Sequence, residues 1–90
     1  ARLKLAACDD FRSVLETARR TASEAVFMAI LERSRKMDMG KRGKLQTALV
    51  KNHNFTCSFL EKIDYEGGFD WEEDEDVEEA LVDRGVIEDK

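Results

Sequence analysis

Six cations fall within twelve residues, Arg33, Arg35, Lys36, Lys41, Arg42 and Lys44, and Asp38 is the sole acid among them. Lysine and arginine set around glycines, here Gly40 and Gly43, are what phosphate oxygens require, because the side chains supply charge and a glycine lets backbone amides approach. Gly40-Lys41-Arg42-Gly43-Lys44 lacks the spacing of a phosphate-binding P-loop and follows no expected strand. No aromatic residue interleaves with the cations, so base stacking is unsupported and a nucleic-acid contact here would run through backbone charge. The plain reading of the same residues is a solvated helix end and its turn, with cations answering the helix dipole.

A second group is acidic. Asp70, Glu72, Asp74 and Asp76 alternate along the chain, which invites a calcium reading. An EF-hand loop wants glycine at its sixth position and glutamate at its twelfth. Counting from Asp70 gives Glu75 and Leu81, and counting from Asp64 gives Phe69 and Glu75, so neither frame fits and no metal is expected. Tyr65, Phe69 and Trp71 lie among Glu66, Asp70 and Glu72, a mixture in which rings can enter a partner's pocket while carboxylates meet its basic rim. The plain alternative is that Phe69 and Trp71 cover the core. His53 and Cys57 are four apart and would share a helix face, but two ligands do not make a zinc site without Cys8 and Asp9 or Asp10 nearby. As a base and nucleophile they lack an orienting group. No catalytic constellation emerges, and the chain is expected to be neither an enzyme nor a cofactor carrier.

These groups must be positioned by helices. The 90 residues include no proline and only five glycines, and strong helix formers dominate. Ala25 to Leu31 are seven apolar residues in a row within a chain that is 39% charged. That run is far short of the roughly 20 residues needed to span a bilayer, so no membrane is expected as a partner. As a helix it is apolar all round and needs cover on every side, from the chain or from another molecule. The expected first helix follows a cap at Asp9 or Asp10 and continues through the run, with Phe11, Leu15, Ala18, Ala22, Ala25 and Ala29 on one stripe. Thr21 and Glu24 have the form of a capping box that would break it, but no glycine or proline helps a turn there and the continuous helix is preferred. Gly40 should stop it, leaving residues 40–43 as a basic loop.

From Lys44 the pattern Leu45, Ala48, Leu49, Phe59, Leu60, Ile63 is helical again up to Gly67-Gly68, with a weak point at Asn52-His53-Asn54-Phe55-Thr56 where Asn54 can cap a fresh helix. A last helix should start at an Asp70 cap, bury Val77, Ala80 and Leu81, and end at Arg84-Gly85.

The sequence therefore predicts an all-α fold, a small compact bundle of three to four helices with an acidic C-terminal helix and the 25–31 run at its centre. It is a single domain, 1–90, whose charge is divided. Residues 1–51 hold twelve Lys/Arg against six Asp/Glu (+6), whereas residues 52–90 hold three against fourteen (−11), within a net charge of −5. Such a division points to a polyelectrolyte partner or to one half docking on the other. Two cysteines are too few for a secreted disulfide scaffold, which favours an intracellular setting. The leading functional expectation is a non-enzymatic protein-binding adaptor or small accessory subunit, with Phe27, Leu31, Phe69 and Trp71 as anchors on its partner. The alternatives are a nucleic-acid-associated accessory protein using the basic loop 33–44, and an acidic mimic of nucleic acid that inhibits a nucleic-acid-binding protein.

Overall fold

Free helix ends need partners for their backbone groups, and in this protein those partners decide where each helix stops. The computed structural model describes residues 11–88; the expected lead-in at residues 1–8, the caps at Asp9 or Asp10 and the pairing of Cys8 lie outside them. The described residues form α1 (Phe11–Arg20), α2 (Glu24–Ser34), α3 (Met39–Lys51), α4 (Cys57–Tyr65), a 3-10 turn (Trp71–Glu73) and α5 (Glu75–Asp83). The all-α class stands. The expected count of three to four helices is corrected to five among the described residues, because each of the two long helices read from the sequence is two.

The first break falls at residues 21–23. Thr21 turns its hydroxyl to accept the N–H of Ser23 (3.0 Å), and Ser23, not Thr21, caps α2 by accepting from Val26 N–H (3.3 Å). Carbonyls left over at the end of α1 are taken by side chains from a distant segment. Asn52 donates to the oxygens of Ala18 (2.9 Å) and Thr21 (2.8 Å), and Asn54 to that of Arg20 (3.0 Å). The same segment, 52–56, makes the second break, where Thr56 rather than Asn54 caps α4 by accepting from Phe59 N–H (3.1 Å).

The expected basic loop is corrected as well. Gly40 does not end a helix: α2 stops at Ser34, Asp38 accepts from Lys41 N–H (3.0 Å) as the cap of α3, and residues 40–43 are the first turns of that helix. Asp74 instead of Asp70 caps α5, accepting from Asp76 N–H at 3.0 Å. The two glycine stops behave as expected. Gly67 (φ 78°) and Gly85 (φ 77°) take the left-handed conformation; the N–H groups of Gly67 and Gly68 reach Asp64 O and Ile63 O (both 2.9 Å), and those of Gly85 and Val86 reach Val82 O (3.0 Å) and Leu81 O (2.9 Å), the paired bonds of a Schellman ending.

The helix at the centre is α3. Its Gly43, Leu45, Gln46, Ala48, Leu49 and Val50 are all buried, with α1, α2 and α5 packed around it. The 25–31 run is covered on one side only. Phe27 and Ile30 are 0% and Leu31 3% exposed, while Met28 is 45% exposed and Ala25 and Ala29 also face outward. The expected alanine stripe is therefore not a helix-packing seam: on α1 the buried residues are Val14 and Ala18, and Ala22, Ala25 and Ala29 are exposed. Phe27 is the hub of a ring cluster, with centroids 4.7 Å from Phe55, 5.1 Å from Phe59 and 6.4 Å from Phe69, each edge to face. Its burial contributes about 2–3 kcal/mol.

Two glycines of α3 make a test. A Cβ on Gly43 would collide with the Asp74 carboxylate, whereas one on Gly40 would meet nothing closer than Asp38 Oδ1 at 3.6 Å. Gly43→Ala pushes α5 and its cap away and is expected to cost about 1–3 kcal/mol. Gly40→Ala is expected to add about 0.5 kcal/mol. Chemical denaturation of the two variants should show opposite signs; equal shifts would mean that α3 and α5 do not meet at Gly43.

Candidate functional site

Gln46 is 0% exposed and lies in the middle of the central helix. A buried amide must find partners for both its ends, and here they come from two other segments. Its Nε2 donates to Ser34 Oγ at the end of α2 (3.2 Å) and to Asp70 Oδ2 (3.1 Å), and its Oε1 accepts the backbone N–H of Asp70 (2.9 Å). Ser34 in turn donates to Leu31 O (2.6 Å). The segment after Gly67-Gly68 is thereby pinned to α2 and α3, with Phe69 pressed into the core.

Cations from the basic cluster close the same segment from outside. Arg42, 18% exposed at its side chain, donates to Glu73 Oε1 (3.0 Å) and stands 3.8 Å from Asp70 Oδ2, while Arg35 donates to Gly67 O (2.9 Å). The basic half thus does meet the acidic half, at this clasp. Pairs as exposed as Arg42–Glu73 are worth about 0–1 kcal/mol each, so the buried amide contributes more to the clasp than the charges do.

The anchor residues expected from the sequence are placed inside rather than outside. Phe27, Leu31 and Phe69 are 0%, 3% and 5% exposed and offer a partner no surface in this fold. Trp71 is half-buried and its indole N–H donates to Asp64 Oδ1 (2.7 Å). Of the six cations in the 33–44 cluster, Arg35 and Arg42 are engaged in the clasp, Lys41 stands over the Phe11 ring (5.8 Å), and Lys44 turns toward a separate groove. Lys36 is exposed and borders a shallow depression with Ala29, Glu32, Arg33 and Met37. The cluster does not converge on one point. His53 and Cys57 do not share a helix face, since His53 lies in the turn before α4 and Cys57 is its first residue. The Cys57 thiol donates to Arg84 O (2.7 Å). Among the described residues no three or more His, Cys, Asp or Glu side chains are grouped to hold a metal ion, and no helix is long and apolar enough to cross a membrane.

The groove at Lys44, about 660 Å³, is larger than the depression beside Lys36 and lies between α1 and α5 over α3. Leu15 and Ala48 give it an apolar floor. Arg19, Lys44 and Lys51 line it on the α1–α3 side, and Asp76 and Glu79 on the α5 side.

Comparison with protein-family models, with curated proteins and with solved structures finds no match to this chain. The reading of the site therefore rests on its geometry.

Sequence reasoning passed over Gln46 and Ser34, and read Asn52 only as part of a helix break and Arg84 only as a helix end. One signal was available: Gln46 and Thr47 interrupt Leu45, Ala48, Leu49 and Val50, and a polar residue inside an apolar helical stretch is a candidate buried hydrogen-bonder. Replacing it tests the clasp. Gln46→Leu leaves the Asp70 N–H and carboxylate short of partners and is expected to cost about 2–4 kcal/mol. Trp71, the one tryptophan, adjoins Asp70, so its emission should move to the red in the folded variant; an unchanged spectrum and denaturation midpoint would show that the amide does not hold the segment.

Proposed function

We propose that the chain is a non-enzymatic protein-binding adaptor or accessory subunit that meets a basic surface of its partner through α5 and the turn before it. The observation that carries this reading is the state of the acids. Glu72, Glu75, Glu79 and Asp83 are exposed, and among the described residues none of them forms an ion pair. The helix beneath most of them is firmly rooted, with Val77, Ala80 and Leu81 at 0%, 1% and 0% exposure. A fixed row of unanswered carboxylates steers a cationic partner and sets its register.

Nucleic acid is a poorer fit as the direct partner. Arg35 and Arg42 of the 33–44 cluster are occupied within the fold, and the exposed Lys36, Lys41 and Lys44 run from the turn after α2 into the first turns of α3 without converging on one point.

The test is a capture experiment with the full chain and with Glu72→Gln/Glu75→Gln/Asp83→Asn. The full chain is expected to retain a protein at about 0.1 M salt and release it at about 0.5 M, and the triple variant, its melting temperature unchanged, is expected to retain none of it. Displacement of that protein by duplex DNA would mark the partner's surface as a nucleic-acid-binding one. Equal capture by the variant, or capture of nucleic acid alone, would contradict the reading.

A further inference from the structure

Among the described residues the central helix is enclosed on three sides and open on the fourth. Its Lys44 and Lys51 are exposed and Thr47 is half-buried, and at about 100° per residue these three share a strip about 60° wide. The strip is the base of the groove between α1 and α5.

The two walls carry opposite charge. A polyanion drawn to Arg19, Lys44 and Lys51 would be repelled by Asp76 and Glu79, and a polycation drawn to those carboxylates would be repelled by the three cations. We infer that the groove seats a helix of mixed charge from a partner protein, with an acidic row over the α1–α3 cations, a basic row over the α5 carboxylates and small apolar residues between, against Leu15 and Ala48. Lys44 and Lys51 are seven residues apart, about two turns or 10.5 Å along α3. Residues seven apart on a guest helix lying alongside match that spacing, as flanking charges do in paired helices. This inference rests on the reading of the chain as a protein-binding module and names a second segment that it would take. It uses none of Glu72, Glu75 and Asp83.

The probe is a synthetic helical peptide of about four turns, long enough to overlie the strip, with one row of Glu, one row of Lys and an Ala/Leu stripe between them. It is titrated into the full chain and followed by NMR, alongside all-Glu and all-Lys versions. Saturable shifts are expected at Leu15, Thr47 and Ala48, with the mixed peptide binding about tenfold tighter than either single-charge version. In Asp76→Lys/Glu79→Lys the preference should switch to the all-Glu peptide by a similar factor. Tighter binding of a single-charge peptide to the unmodified chain, shifts that miss the groove, or contacts from residues 1–10 already filling it in the free chain would each overturn the inference. The Glu72→Gln/Glu75→Gln/Asp83→Asn variant should bind the mixed peptide normally. Loss of capture by that variant with no peptide binding would remove the groove alone, and peptide binding with capture intact would remove the acidic-face reading alone.

Discussion

A primary amide sealed inside a helical core has to be answered on both sides or it costs more than an apolar residue would. Gln46 is answered, by Ser34 and by both the backbone and the side chain of Asp70, and this requirement locates the connection between α4 and α5. Once Asp70 is fixed, Phe69 enters the ring cluster around Phe27 and the 3-10 turn runs beside Arg42. Asp74 then meets α3 at Gly43, the position where a side chain would collide with it. One hydrogen-bonding group thus sets the register between the basic and acidic halves, and the ion pairs at its rim follow from it.

A second constraint works at the helix ends. The five helices are short, nine to thirteen residues, so free carbonyls are a large share of the backbone. Segments far away in sequence take them up. Asn52 and Asn54 close the end of α1, and Arg84 closes the end of α3 by donating to the oxygens of Val50 (2.6 Å), Asn52 (3.2 Å) and Phe55 (2.6 Å). Arg84 leaves α5 at its C-cap, so the same side chain ties the last helix to the turn that separates α3 from α4. A 90-residue chain has a modest apolar core, and these long-range caps add specificity to it.

Local signals were readable where the physics is local. Composition and the absence of proline indicate an all-α fold; Gly67-Gly68 and Gly85 announce helix ends because only a left-handed residue closes them in this way; Val77, Ala80 and Leu81 mark the buried side of α5 by their spacing. What the sequence hid depends on distant partners. The break at 21–23 is stabilised by asparagines more than thirty residues away, so a continuous helix is the natural local reading. The 25–31 run is richer in apolar letters than 45–50, but alanine favours a helix without needing burial, and Ala25 and Ala29 face outward. Gly40 and Gly43 suggest a stop, yet Asp38 caps a helix through them and the space at Gly43 belongs to Asp74. For the candidate site the outcome is similar. Phe27 and Leu31 carry the apolar bulk expected of anchors, and the fold consumes that bulk as core, leaving charge as the surface that distinguishes this protein.

That surface is organised by the central position of α3, which fixes α5 with its acids outward and, among the described residues, leaves a lysine-bearing strip uncovered between α1 and α5. The most direct measurement of that architecture is residue-resolved hydrogen exchange under native conditions. The amides of Leu45 to Val50 are expected to be the slowest in the chain and to exchange only through global unfolding, while those of Met28 and Ala29 open earlier. Amides of the 25–31 run outlasting those of α3 would put the centre of the fold in α2 and overturn the central place of α3.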